Sequence, residues 1–190
     1  MSIHKGFVYR QAVRHNIPGN VHFYTFSCQN RLPLLTNDLW RCWLADAITD
    51  ARKKLEYDLW AYVFMPEHVH LLIYPRREKY RISEFMQLVK APVSRRVITS
   101  LKKSNSPLLK KLEVRRGDGK IEHRFWLQGG GHDLNIWTMK KAVEKAEYCH
   151  HNPVKRELVK SPEQWHWSSY RWLELGSKDN EPLKVDDWIE

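Results

Sequence analysis

The order of apolar segments predicts an α+β fold, in which helices cover one face of an antiparallel sheet. Strand-like and helix-like segments follow one another as strand, helix, strand, strand, helix, strand and a further helix. The second and third strands are separated only by Pro66 and Glu67, which is typical of a tight antiparallel hairpin. The 190 residues, 42% of them hydrophobic, are enough for one domain with a real core.

The first half of the chain contains three predicted strands and one predicted helix. The segment 21–28, VHFYTFSC, is rich in β-branched and aromatic residues and predicts the first strand. Apolar residues recur at helical spacing over about 39–55, which predicts a helix with one buried face. The segments 57–65 and 68–74, YDLWAYVFM and HVHLLIY, predict the second and third strands.

The second half continues this alternation. The segment 81–103 predicts a long helix that Pro92 should kink or split, and 102–120 predicts a basic loop. The end of 122–137 predicts a fourth strand, and 138–152 predicts a helix that stops before a proline. This order is the split βαβ arrangement of a ferredoxin-like antiparallel sheet (βαββαβ), with one more helix towards the C-terminus.

Composition divides the chain into three parts. Residues 1–19 are polar and basic and predict an N-terminal arm, 20–175 a folded domain and 176–190 an acidic C-terminal tail. The three cysteines lie far apart without a CxxC pair, which favours a reducing compartment and argues against a cysteine-based zinc site. Neither a signal peptide nor a run of about 18–20 apolar residues is present, so we expect a cytoplasmic protein with no membrane partner.

The charge balance favours a polyanionic partner. Lys and Arg number 32 against 22 Asp and Glu, which gives a net charge of +10. Nine Trp, eight Tyr and six Phe add flat rings on which the bases of a single strand can stack. Nucleic acid is therefore the first candidate partner, and a basic surface without any partner is the alternative.

Two histidines stand on the same side of the third predicted strand. Side chains alternate along a strand, so His68 and His70 point one way while Val69 and Leu71 point the other. Their Cα atoms are expected about 6.5–7 Å apart, from which two imidazoles can converge on one divalent cation. The alternative is that each is a hydrogen-bonded core residue, and a metal site needs a further ligand from elsewhere in the chain.

Three separated motifs resemble one known family. The segments 65–73 (MPEHVHLLI), 148–155 (YCHHNPVK) and 165–172 (WHWSSYRW) are together similar to the single-tyrosine HUH transposases, in particular the REP-associated tyrosine transposases of bacteria. HUH denotes a histidine, a hydrophobic residue and a second histidine. The order and spacing of the motifs fit over roughly residues 15–173. The agreement of all three is more specific than any one of them.

The resemblance implies that Tyr148 is the nucleophile and that Asn152 joins the histidine pair as a third metal ligand. The residues themselves support this, because positions four apart share one face of a helix. Lys141 and Lys145 precede Tyr148 by seven and three residues and lie on the same face. One helix surface would then offer a nucleophile, a metal ligand and two cations for phosphates.

Several alternatives stay open at this point. Tyr170 and Tyr62 are conceivable nucleophiles, although neither shares the proposed helix face, and His150 and His151 are potential rival ligands. Related transposases often have an arginine-rich or aromatic-rich stretch where this chain has three glycines at 129–131. That difference could alter the neighbouring strand or the DNA groove.

The family implies attack by the tyrosine on a phosphate of single-stranded DNA, next to a hairpin from a repeated extragenic palindrome. The products are a 5′-phosphotyrosine link and a free 3′-OH. A His/His/Asn ligand set suits Mg²⁺ or Mn²⁺, and imidazole also tolerates Zn²⁺. REP-associated relatives and the long C-terminal segment favour a monomer over a dimer that exchanges tyrosine helices.

Further basic residues are candidates for gripping the DNA backbone, and their contacts should weaken steeply with salt. They are Arg10, Arg14, Lys90, Arg95, Arg96, Lys102, Lys103, Lys110, Lys111, Arg115 and Arg116.

Two rival functions share this charge and fold. One is a domesticated protein that binds DNA hairpins without cutting, and the other is a metal-dependent phosphodiesterase that uses water as the nucleophile. A replication initiator or relaxase of the same superfamily is a nearer relative, but those proteins typically carry larger attached domains.

Overall fold

The chain folds into a four-stranded antiparallel sheet with helices on both faces and a separate two-stranded hairpin. This computed structural model describes residues 15–129, 131–177, 179 and 181–188. The strands are β1 (Val21–Ser27), β2 (Tyr57–Phe64), β3 (His68–Pro75), β4 (Glu113–Arg115), β5 (Ile121–His123) and β6 (His132–Ile136). The helices are α1 (Asp38–Leu55), α2 (Ile82–Lys103), α3 (Leu108–Lys111), α4 (Met139–Lys155) and α5 (Tyr170–Leu175).

The main sheet has the strand order β2-β3-β1-β6, and each neighbouring pair is antiparallel. This is the order of a ferredoxin-like sheet, so the predicted α+β class and the βαββαβ arrangement are confirmed. Pro66 and Glu67 form the turn between β2 and β3, as the short break in the sequence predicts. Because β1 pairs with the other edge of β3, the strand that carries both histidines is an interior strand.

Two apolar clusters cover the two faces of the sheet. On one face α1 and α2 pack against residues such as Tyr24 and Leu71. On the opposite face α4 packs against Phe23 and Leu72. Alternation along β3 therefore directs its even-numbered residues, which include both histidines, towards α4.

Both long helices contain an internal proline. α2 runs through Pro92 as one helix, so it is not split there. α4 runs through Pro153 to Lys155, so the predicted stop at residue 152 is wrong. A proline removes one backbone donor and crowds the preceding turn, but the packing of each helix against the sheet outweighs that local cost.

The predicted loop at 102–120 contains regular structure, so that prediction is wrong in part. It includes α3, and it includes β4, which pairs with β5 so that Val114 lies opposite Glu122. These elements are four and three residues long, which is too short for hydrophobic periodicity to reveal them.

The described C-terminal residues lie along the free edge of β2. The backbone N–H of Asp186 donates to the carbonyl of Leu59, and its carboxylate accepts from the N–H of Leu59, both at 2.8 Å. Leu183 is buried, and the Trp188 indole stacks on Trp60 at 5.3 Å. This segment covers the backbone groups of an edge strand that would otherwise be unpaired.

The predicted basic arm lies largely outside the described residues, and Arg10 and Arg14 lie outside them entirely. Residues 16 and 17 are hydrogen-bonded to α2 and to the loop before it. The side chain of Asn16 accepts from the N–H of Ile82, and the carbonyl of Ile17 accepts from the hydroxyl of Tyr80. Within the described part of the chain, no helix has the length and apolar character needed to cross a bilayer.

Candidate active site

His68 and His70 lie on the face of the sheet that α4 covers. Both are buried, and β1 and β2 pair with β3 on either side, so the backbone that carries them is held at both edges. The two ring centroids are 4.8 Å apart and the rings are nearly perpendicular. Their Nε2 atoms face each other across 3.0 Å. The convergence expected from their spacing in the sequence is therefore present.

Each imidazole makes a further hydrogen bond through its other ring nitrogen. Nδ1 of His68 lies 3.0 Å from Oε1 of Glu67, and Nδ1 of His70 lies 2.7 Å from Oγ1 of Thr25, its cross-strand neighbour on β1. A carboxylate can only accept, so a neutral His68 donates from Nδ1 and presents a lone pair at Nε2. The Thr25 hydroxyl can donate or accept, which leaves His70 free to present either a proton or a lone pair at Nε2.

This geometry fits a divalent cation held between the two imidazoles. When His70 donates from Nδ1 to Thr25, two lone pairs face each other across 3.0 Å, and a cation between them removes the repulsion.

Burial keeps both imidazoles neutral near pH 7. It lowers the pKa of His70 from 6.5 to about 3, with added repulsion from the positive charges of His68 and Lys145. It also lowers the pKa of His68, against the opposing attraction of the Glu67 carboxylate. Neutral imidazole is the form that binds metal ions, so the pair is ready to act as ligands at neutral pH.

α4 brings Tyr148 next to the histidines. Its ring centroid lies 5.7 Å from that of His70 and 6.1 Å from that of Phe23, both edge-on. Phe23 in turn stacks on His70 at 5.3 Å. The tyrosine is still 41% exposed, so the ring is held by neighbours while the phenol can reach a substrate. The two segments that the resemblance requires to meet do meet within one chain.

Asn152 lies one helical turn beyond Tyr148 and is buried. Its Nδ2 donates to the backbone carbonyl of Tyr148 at 3.0 Å, which leaves Oδ1 as the atom that could bind a cation. One turn further, Arg156 contacts Glu67, the partner of His68. Among the described residues, no three His, Cys, Asp or Glu side chains are grouped to hold a metal ion.

Two lysines of α4 flank the Tyr148 ring. Nζ of Lys145 lies 5.6 Å and Nζ of Lys155 lies 4.9 Å from its centroid. Lys141, which we expected on this face, pairs with Glu144 at 2.5 Å. Positive charge beside a phenol stabilises its anion and attracts a phosphate.

Comparison with known families bears on this site. The family model described as "Transposase IS200 like" matches residues 19–113, which is half of the chain. The chain belongs to the IS200-like transposase family. The matched segment of this transposase contains both histidines but ends before α4. The resemblance to transposases is thus confirmed, while the role of Tyr148 rests on the geometry.

Two solved structures are similar to this transposase. One is described as a REP-associated tyrosine transposase bound to a REP hairpin, with a TM-score of 0.67 and 18% identity over 96% of this chain and 94% of that chain. At this identity the likeness establishes the fold. The other is described as a transposase from Deinococcus radiodurans R1, with a TM-score of 0.43 and 19% identity over 78% of this chain and 95% of that chain. No curated protein matches the chain.

Several of the other basic residues predicted to bind DNA lie away from Tyr148. Five of them are on α2, which covers the opposite face of the sheet, and the structure does not bring them to the histidine pair. These five are Lys90, Arg95, Arg96, Lys102 and Lys103. The guanidinium of Arg96 stacks over Trp43 at 4.4 Å. The α2 face is thus a second basic surface of the transposase.

The ammonium of Lys90 lies 5.7 Å from the centre of the Phe26 ring, on the α2 side of the sheet. The remaining cations are on elements that follow α2 in the chain. Lys110 and Lys111 end α3, and Arg115 ends β4. Arg116 lies between β4 and β5 and pairs with acidic residues of the same hairpin.

The rival residues have other contacts. Nε2 of His150 lies 2.9 Å from Oγ of Ser169, and His151 bonds to a backbone carbonyl of its own helix. Tyr170 packs edge-on against His150, and Tyr62 is fully buried. His150, Tyr170 and Tyr62 thus pack within the fold, while the exposed His151 bonds only to α4.

Sequence reasoning missed four residues around the site: Thr25, Glu67, Lys155 and Arg156. Glu67 precedes the first histidine, but nothing in the sequence shows that its side chain turns back onto that ring. Thr25 is found only once the register of β1 and β3 is known. Lys155 and Arg156 were missed because the helix was expected to end at residue 152.

Proposed function

We propose that this transposase is a single-tyrosine DNA endonuclease and strand transferase with Tyr148 as its nucleophile. The observation that carries the proposal is the placement of the Tyr148 ring 5.7 Å from that of His70, on one face of one sheet. An exposed phenol beside two neutral imidazoles and two lysines is arranged to attack a phosphate that these groups hold.

In the proposed reaction, the phenolic oxygen of Tyr148 attacks the phosphorus of a single-stranded DNA phosphodiester. The new O–P bond forms as the bond to the 3′ oxygen breaks, which leaves a 5′-phosphotyrosine link and a free 3′-OH. The phenol loses its proton to solvent, and the departing 3′ oxygen takes up a proton. One phosphoester replaces another, so the reverse attack by a 3′-OH rejoins the strand without ATP.

The neighbouring residues divide the remaining work. Lys145 and Lys155 stabilise the phenolate and the phosphate charge from either side of the ring. Phe23 limits the positions that the ring of Tyr148 can take. His68, His70 and Asn152 are the residues that would hold Mg²⁺ or Mn²⁺, and such an ion would supply positive charge to polarise the scissile phosphate.

The proposed substrate is single-stranded DNA beside a REP-type hairpin, bound by a monomer. A net charge of +10 supports a DNA partner, and the fold neighbour is described as bound to a REP hairpin. The monomer is supported because the Tyr148 of one chain already lies beside the histidines of that same chain.

The test is covalent capture of labelled hairpin-bearing single-stranded DNA in Mn²⁺, separated on a denaturing gel. Wild type should give a slow-migrating protein–DNA adduct, and Tyr148→Phe should give none while binding the DNA with nearly unchanged affinity. Tyr170→Phe is the matched control, since it removes an equivalent hydroxyl outside the site, and should form the adduct at the wild-type rate. An adduct with Tyr148→Phe would remove this residue from the role.

The same gel separates the two rival functions. A phosphodiesterase that activates water would cut the strand without leaving DNA on the protein. A domesticated hairpin-binding protein would shift the DNA on a native gel and neither cut it nor attach to it.

A further inference from the structure

Glu67 lies at the junction between the histidine strand and the end of α4. It is buried, and its Oε1 lies 3.0 Å from Nδ1 of His68 and 2.7 Å from Nη1 of Arg156. Arg31 approaches the same oxygen more loosely, at 3.5 Å. Its backbone carbonyl accepts from the N–H of Cys28 at 2.8 Å, so the turn that carries it is anchored to the end of β1.

A buried carboxylate needs compensation, because burial disfavours its charged form. Arg156 and His68 supply that compensation, at 2.7 and 3.0 Å from the same carboxylate oxygen. A carboxylate is an acceptor only, which requires His68 to keep its proton on Nδ1 and its lone pair on Nε2.

The same carboxylate fixes the position of α4. Arg156 lies eight residues after Tyr148 and four after Asn152, so the three share one stripe of the helix. Tyr148 contacts His70 at one end of the stripe, and Arg156 contacts Glu67 at the other. The ion pair with Glu67 thus limits rotation and sliding of the helix that carries the nucleophile.

We propose that Glu67 is a positioning residue with two targets: it holds the metal-binding tautomer of His68 and, through Arg156, it holds α4 in register with the histidine pair. This inference rests on the proposed function, because it concerns the same cation site and the same nucleophile. Outer carboxylates that hold a metal-ligating histidine typically contribute 10- to 100-fold to metal affinity.

The first measurement is Mn²⁺ binding to the folded chain without DNA. Binding is monitored by electron paramagnetic resonance, in which the signal of free Mn²⁺ decreases as the ion binds. Glu67→Gln keeps the shape of the side chain and removes its charge, and should weaken Mn²⁺ binding by about 10-fold or more. Arg31→Gln is the control, because the Arg31 side chain is 62% exposed and approaches the same oxygen only to 3.5 Å. It should stay within about twofold of wild type, and circular dichroism should show both variants folded.

The second measurement separates the two targets. Arg156→Gln leaves the pair of Glu67 and His68 intact, so it should slow covalent capture more than it weakens Mn²⁺ binding, and Arg156→Lys should restore part of the rate. In a double variant of Glu67→Gln and Arg156→Gln the capture rate should match that of Glu67→Gln alone, since the link to α4 is already broken.

Two outcomes overturn the inference by itself: unchanged Mn²⁺ affinity in Glu67→Gln, or losses in capture rate that add in the double variant. Wild type that binds no Mn²⁺ would overturn the cation site together with this inference. If Tyr148 is not the nucleophile, the proposed function fails but this inference can still be tested. Mn²⁺ binding, and its weakening by Glu67→Gln, can be measured in the Tyr148→Phe variant.

Discussion

Gly131, which directly precedes β6, offers a sharp test of how the sheet supports the site. Its φ of +78° is in the left-handed region, and a Cβ at this position would lie 2.2 Å from the backbone oxygen of Thr25. Real Cβ atoms essentially never approach another heavy atom within 3.0 Å. The neighbouring backbone of β1 would therefore have to move by roughly an ångström, and backbone in a paired strand moves only at a cost in free energy.

We expect Gly131→Ala to lower the free energy of unfolding by about 2–5 kcal/mol. Left-handed backbone costs an L residue roughly 1–2 kcal/mol, and overpacking adds about 1–3 kcal/mol. For a domain of this size each kcal/mol lowers Tm by roughly 2–4 °C, so calorimetry should show a fall of about 4–20 °C. Thr25 also binds Nδ1 of His70, so Mn²⁺ affinity should fall in the same variant.

Gly119→Ala is the matched control for this prediction. Gly119 has nearly the same φ, +80°, but nothing lies within 4 Å of its Cβ position. The control therefore carries the backbone strain without the steric overlap, and the difference between the two variants isolates the close approach to Thr25. Equal losses of stability in the two variants, with Mn²⁺ affinity unchanged in both, would refute the reasoning.

Two further predictions concern pH and salt. Burial, with the charge of His151 added, lowers the pKa of His150 from 6.5 to about 4. Below pH 6.5 the unfolded chain therefore binds a proton that the folded chain does not, and this residue alone should cost about 2 kcal/mol of stability at pH 5 relative to pH 8. His150→Gln should lose that share of the pH dependence in urea unfolding, and an unchanged profile would contradict the assignment. If Arg95 and Arg96 contact phosphates, replacing both with Gln should reduce the slope of log affinity against log salt by about 1.8 for duplex DNA. The same change at Lys53 and Lys54 should leave the slope as it is, and equal effects would point to net charge alone.

The fold could be predicted from the sequence because its long elements carry strong periodic signals. The long strands β1, β2 and β3 are rich in β-branched and aromatic residues, and the buried stripes of α1 and α2 recur at helical spacing. The short elements, α3, β4 and β5, have too few residues for any periodicity. The end of α4 was also predicted too early, because the tertiary packing of the helix outweighs the local preference of Pro153 to end it.

The residues of the site were also predictable only in part. Residues of recognisable chemistry in one element, such as His68 and His70, could be paired from strand alternation alone. Thr25 could not, because its place opposite His70 depends on a register that only the folded sheet defines. Basic residues could be counted from the sequence, but their distribution over two faces of the sheet depends on how α2 and α4 pack.

The length of α4 determines which groups the site contains. A helix that stopped at residue 152 would present Tyr148 and Asn152 but neither Lys155 beside the phenol nor Arg156 beside Glu67. With the extra turn, the stripe from Tyr148 to Arg156 spans about 12 Å at 1.5 Å per residue. One end of the stripe contacts His70 on β3, and the other contacts Glu67 in the turn before β3. These two contacts limit both the rotation and the axial position of the helix, and Asn152 lies between them. The proposed nucleophile and the proposed cation ligands are therefore coupled through one helix, and we expect changes at either end of α4 to weaken both together.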